Sequence, residues 1–111
     1  MIVVDTNIIS YSLIQGDKTE SVLRAHEKDS AWIVPVLWRH EFLNVLSTLT
    51  KNNILNQNQS IDIWKNAVRI FNRNEYNVDM VAALDISIQN KVSSYDAQYI
   101  TLAKTLAAIK L

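Results

Sequence analysis

The chain has 111 residues, with one glycine, one proline and no cysteine, which suits a single domain over residues 1–111 with one hydrophobic core. Eleven basic residues balance eleven acidic ones, which excludes a protein that grips nucleic acid by bulk charge. The missing cysteines exclude disulfides and thiolate metal sites and fit a reducing, cytoplasmic location. No apolar run approaches the roughly 18 residues that span a bilayer, and Met1-Ile2-Val3-Val4-Asp5 lacks the basic start of a signal peptide. A soluble protein away from membranes is expected. So few glycines and prolines argue against a turn-rich all-β fold and for helices on short connections.

In chain order, Ile2-Val3-Val4 is a short β-branched run that reads as a strand buried on both faces. Asp5-Thr6-Asn7 favours caps and turns, and Ile8, Ile9, Tyr11 and Leu13 continue as a short helix. Gln15-Gly16-Asp17 breaks that helix. Asp17 and Glu20 are spaced as a capping box for a second one through about His26, with Val22, Leu23 and His26 inward. Trp32-Ile33-Val34 is the second strand, stopped by Pro35. From Val36 to Lys51, Leu37, Phe42, Val45, Leu46 and Leu49 recur at helical spacing.

Asn52-Asn53 and the polar stretch from Asn56 to Ser60 predict a loop, and Ile61 to Asn72 a helix with a broad apolar face. Glu75-Tyr76-Asn77-Val78 reads as an irregular segment or an edge strand. Asp79 caps a helix carrying Val81, Ala82, Leu84, Ile86 and Ile88. Ser93-Ser94-Tyr95-Asp96 opens the last helix, with Tyr99, Ile100, Ala103 and Leu106 inward, and Ile109-Lys110-Leu111 begins a further strand. Strands separated by helices predict an α/β fold with a parallel sheet.

Three carboxylates stand where chemistry collects in such folds. Asp5 follows the first strand, at the carboxyl end where ligands gather in open parallel sheets, although an aspartate there is equally an ordinary helix cap. Glu41 lies beside the apolar stripe formed by Leu37 and Val45, where a glutamate needs a partner; Arg39 or Lys51 at the helix edge would serve, as would plain exposure. Asp96 opens a helix, a placement the helix dipole alone would favour. Packed within ~5 Å of one another, the three would repel strongly enough to call for a cation. Oxygen ligands without histidine or cysteine select a hard ion, Mg²⁺ or Mn²⁺. His26 and His40 have no second histidine at ligand spacing, so zinc is not expected. Trp32, Trp38 and Trp64 read as core anchors before they read as base-stacking surfaces.

The segments Ile2-Val3-Val4-Asp5-Thr6-Asn7, Trp38 to Leu46 around Glu41, and Ser93-Ser94-Tyr95-Asp96 through Ala103 resemble, in order and spacing, the leading motifs of PIN-domain ribonucleases. Among these the resemblance is to the VapC-like toxins of toxin–antitoxin pairs. It implies a three-layer α/β fold, a short parallel sheet flanked by helices. It implies that Asp5, Glu41 and Asp96 hold Mg²⁺ or Mn²⁺ and are catalytic. Thr6 and Asn7 would support the first motif by hydrogen bonds, and Ser94 would orient the site or a phosphate. Arg39 and His40, which flank Glu41, either reach a phosphate or face solvent, and solvent is the favoured reading for both. The implied activity is metal-dependent hydrolysis of RNA, and the implied partners are a small antitoxin protein and a second copy in a homodimer.

The sequence departs from the family pattern near its end. Members commonly carry a fourth acid after the next strand, but no Asp or Glu follows Asp96 here. That C-terminal strand and its acidic motif are therefore expected to be missing, and Leu106-Ala107-Ala108 lacks the glycine often found in this segment. The departure implies a one-metal or partly assembled site. It also keeps open a second reading, a catalytically weak binding module that dimerises or holds an antitoxin.

Overall fold

A computed structural model describes residues 1–14, 19–28 and 31–110. Its framework is four short parallel strands, β1 (Ile2–Val3), β2 (Trp32–Pro35), β3 (Glu75–Tyr76) and β4 (Ile109–Lys110), in the order β3-β2-β1-β4. The register pairs Ile2 with both Trp32 and Ile109, and Val34 with Glu75. Strand alternation then sorts the side chains. Val4, Trp32 and Val34 face a core completed by Ile9, Trp38, Phe42, Leu46, Ala67 and Phe71. Val3 and Ile33 face the opposite core of Tyr99, Leu102 and Ala103. Both sheet faces are covered, which makes the architecture three-layered.

The first face carries α1 (Thr6–Leu13), α3 (Trp38–Lys51) and α4 (Gln57–Phe71), and the second carries α6 (Ser94–Thr105); α2 (Thr19–Lys28) packs on α1, and α5 (Met80–Asn90) on α6. Trp38 anchors the first core, with ring centroids 5.5 Å from Phe71, 5.7 Å from Trp64 and 6.1 Å from Phe42. The tryptophans expected in the core are there: Trp32 and Trp38 are buried and Trp64 is half-buried.

Several boundaries differ from those expected. The polar stretch from Asn56 to Ser60 is mostly helix, because Asn56 and Gln59 form a reciprocal capping box that starts α4 at Gln57. Glu75–Tyr76 pairs with β2 as the edge strand that had been one of two alternatives. The helix-breaking Gln15-Gly16-Asp17 lies outside the described residues, as do Asp17's cap and the side chains of Val22 and Leu23. α5 does not bury its large apolar residues. It touches α6 through the side bearing Ala83, while Val81, Leu84 and Ile88 are 79%, 58% and 68% exposed.

The topology fixes where the acids can meet. All strands are parallel, so their carboxyl ends share one edge of the sheet. Three residues link the end of α6 to the start of β4, so α6 runs back against the strand direction and its first turn lies at that same edge. Asp5 leaves β1 there, and β2 leads there through Val36-Leu37 into the turn bearing Glu41. Asp96 stands in the first turn of α6.

Candidate active site

Asp5 is the N-cap of α1: its backbone is extended, and Oδ1 accepts the Ile8 amide at 3.0 Å. The capping role foreseen for it is therefore real, and the side chain remains half-buried at the strand end. Thr6, the next residue, is 8% exposed and turns its hydroxyl towards α3. Thr6 Oγ1 donates to Glu41 Oε1 at 3.1 Å, and the Tyr99 hydroxyl donates to the same oxygen at 2.5 Å. The two hydroxyls are also 3.1 Å apart. The group joins α1, α3 and α6 around one carboxylate oxygen, and no described residue donates to Oε2. Glu41 has thus found its partner in neither Arg39 nor Lys51.

Burial pushes the Tyr99 phenol well above its ordinary pKa; its bond to the Glu41 carboxylate adds to the rise, the Thr6 bond opposes it, and the charges of Glu41 and Asp5 add again. Tyr99 therefore stays a protonated donor at any physiological pH, and both carboxylates lie near enough to act on it. Sequence reasoning placed Tyr99 only among inward residues. Its spacing three residues after Asp96 put it on the same helical face as that acid, which was the available signal.

Asp96 is exposed, and its amide donates to Ser93 Oγ at 3.0 Å. The cap of α6 is Ser93, while Ser94 and Asn7 are exposed. Among the described residues no three His, Asp or Glu side chains stand close enough to form a metal-holding group. The structure brings Glu41 together with Thr6 and Tyr99 and sets Asp5 beside them. Asp96 shares their edge of the sheet without closing a cluster. The donor chemistry, carboxylate oxygens alone with Glu41 Oε2 uncommitted, still fits a hard cation.

Arg39 was expected to face solvent, but it is half-buried and paired. Its guanidinium makes two 2.7 Å bonds to Glu75, whose Oε2 also accepts from Trp38 Nε1 at 2.9 Å. Arg39 holds the Glu75 carboxyl below its ordinary pKa, against burial, with help from Trp38. The half-buried acid on the edge strand captures the arginine because a forked guanidinium satisfies both its oxygens. His40 is exposed, as expected, and lines an open pocket of about 420 Å³ with Thr6, Asn7, Leu37, Glu41, Asn44, Val45 and Tyr95.

The PIN domain family matches the sequence over residues 2–111. The chain belongs to the PIN domain family. PIN domains are in general nucleases, and that membership supports a hydrolase reading. The fold is also that of a chain in FitAcB from Neisseria gonorrhoeae, with a TM-score of 0.73 at 15% identity over 99% of this chain and 85% of that one. Among curated proteins none matches the sequence. Among the described residues no helix is long and apolar enough to cross a membrane.

Proposed function

We propose that this PIN domain is a Mg²⁺- or Mn²⁺-dependent endoribonuclease and the toxin of a VapC-like toxin–antitoxin pair. The observation that carries the reading is the Glu41 carboxylate, fixed through Oε1 by Thr6 and Tyr99 at the carboxyl edge of the sheet, with Asp5 beside it and a pocket in front. Asp5, Glu41 and Asp96 would hold the ion, and Thr6 supports Glu41 directly. Asn7 lines the pocket, and Ser94 opens the helix bearing Asp96. A bound Mg²⁺ or Mn²⁺ lowers the pKa of a coordinated water and offsets charge developing on the phosphate.

The protein's own residues do the rest. Thr6 and Tyr99 keep Glu41 in one orientation, and the Asp5 bond to the start of α1 fixes that acid. Orientation of this kind supplies much of what a hydrolytic site needs. The antitoxin is expected as a protein partner, and a second copy as another. The exposed apolar stripe of Val81, Leu84 and Ile88 on α5 offers an association surface, since large apolar patches on a protein surface mark such sites.

The decisive experiment is RNA hydrolysis with and without Mn²⁺. Cleavage should require the ion, stop in EDTA and fall at least 100-fold in Asp5→Asn, which keeps a capping oxygen while removing the charge (about 3 kcal/mol of lost transition-state stabilisation). Undiminished cleavage in EDTA or in that variant would end the proposal. The second reading, a binding module with weak catalysis, is favoured by one observation, the exposed Asp96 outside any closed acid cluster. It predicts antitoxin capture with no metal-dependent turnover.

A further inference from the structure

The pocket beside Glu41 is larger than one carboxylate requires. At about 420 Å³ it is lined further by Asn7, His40, Asn44 and Tyr95 above the half-buried Leu37 and Val45. Among the described residues no lysine or arginine lines it. Arg39, adjacent in sequence, is committed to Glu75 by its two 2.7 Å bonds. A cradle for phosphate would present lysine or arginine; this one presents two amides, an imidazole and an aromatic ring beside the Glu41 carboxylate. Each amide offers both a donor and an acceptor, and the imidazole adds another polar edge. Such a mixture matches the edge of a nucleobase, while a tyrosine 57% exposed offers a face for it to stack on. A base can use these groups only when it is out of a duplex.

We propose that this pocket seats one unstacked base of single-stranded RNA, with Tyr95 as the stacking platform and Asn7, His40 and Asn44 on the base edge. Tyr95 immediately precedes Asp96, and Glu41 forms part of the wall, so the seated base brings its own phosphodiester alongside the acids. The pocket thereby chooses which nucleotide is presented. This rests on the ribonuclease reading for its substrate class, and it assigns the base-reading part of the same site.

The test measures binding apart from cleavage. Labelled single-stranded RNA is titrated in EDTA, and an abasic nucleotide is walked along it. Removing the critical base should weaken wild-type binding roughly tenfold, within the range of one stacked base. In Tyr95→Ala the intact RNA should bind roughly tenfold more weakly, and the abasic site should add nothing further. Tyr95→Phe should restore binding, and Asn44→Ala should reorder the preference among the four bases. Thermal melting of each variant reports folding.

Wild-type affinity in Tyr95→Ala, additive losses with the abasic site, or no RNA binding at all would overturn the pocket. Tyr95-dependent binding without Mn²⁺-dependent cleavage would leave the base site standing and remove the nuclease. Mn²⁺-dependent cleavage with an unchanged KM in Tyr95→Ala would do the reverse.

Discussion

Glu41 Oε1 accepts two hydroxyl hydrogen bonds, one from Thr6 in α1 and one from Tyr99 in α6. A carboxylate held so firmly through one oxygen has its other oxygen aimed, and residues that orient ligands in this way are worth 10- to 100-fold in metal affinity when removed. Tyr99→Phe should therefore weaken Mn²⁺ binding by at least tenfold, measured by titration calorimetry or the loss of free-ion EPR signal. Its cost to stability should stay near 1–2 kcal/mol, because the ring still fills the core and one hydrogen bond is lost. Wild-type Mn²⁺ affinity in a folded Tyr99→Phe would remove this role.

At this scale the sequence was partly legible. Asp5, Glu41 and Asp96 stood out because carboxylates at strand ends and beside apolar stripes need a reason. Tyr99 did not, because an aromatic at a core position already has one. Arg39 was misread for a related reason: its partner, Glu75, is 36 residues away, and nothing local to either residue announces the pair.

The end of α6 shows how one residue type governs an element boundary. The Ala108 amide bonds Ala103 O at 2.8 Å and the Ala107 amide bonds Lys104 O at 3.3 Å, the paired bonds of a Schellman motif. Ala107 sits at φ 50°, the left-handed position that glycine usually fills. The missing glycine noticed in the sequence is therefore a backbone cost at this turn. Ala107→Gly should stabilise the fold by about 1 kcal/mol, the order of the left-handed penalty, as read from the denaturant midpoint. A destabilised variant would contradict that account.

Glu75 ties β3 to α3 in a way that depends on pH. Its folded pKa is depressed below the ordinary 4.5 by the Arg39 bonds, with burial opposing. The folded state then binds fewer protons than the unfolded one, so the contribution is complete above the unfolded value. It is lost as pH falls through the lower folded one. Wild type should exceed Glu75→Gln in stability at pH 7 by about 1 kcal/mol, the pair being partly exposed, and the gap should close as the acid protonates below pH ~4. Chemical denaturation at the two pH values checks it. The elements themselves were largely readable, since β-branched runs and helical periodicity survive in isolation. Asn56 to Ser60 looked like a loop because a capping box is made of the same polar residues as a loop.

At the scale of the whole molecule, α5 stands out for the apolar face it leaves exposed. The apolar residues Val81, Leu84 and Ile88, carried at helical spacing, point outwards. Periodicity reports that a helix has an apolar face and is silent on what covers it. If that face meets a second copy, Leu84→Asp should turn a dimer into a monomer in sedimentation while leaving the melting temperature at monomer concentrations nearly unchanged. A monomeric wild type at micromolar concentration would contradict that pairing.

The bond between Thr6 and Tyr99 spans 93 residues of sequence, and Glu41 is reached from both ends of the chain. Contacts so distant in sequence form only after the chain has closed on itself. During synthesis the first two acids leave the ribosome long before the helix that holds Glu41 in place. A nascent chain, or one cut before α6, therefore carries acidic side chains without an assembled centre. The proposed hydrolytic activity would then arrive only once α6 is in place.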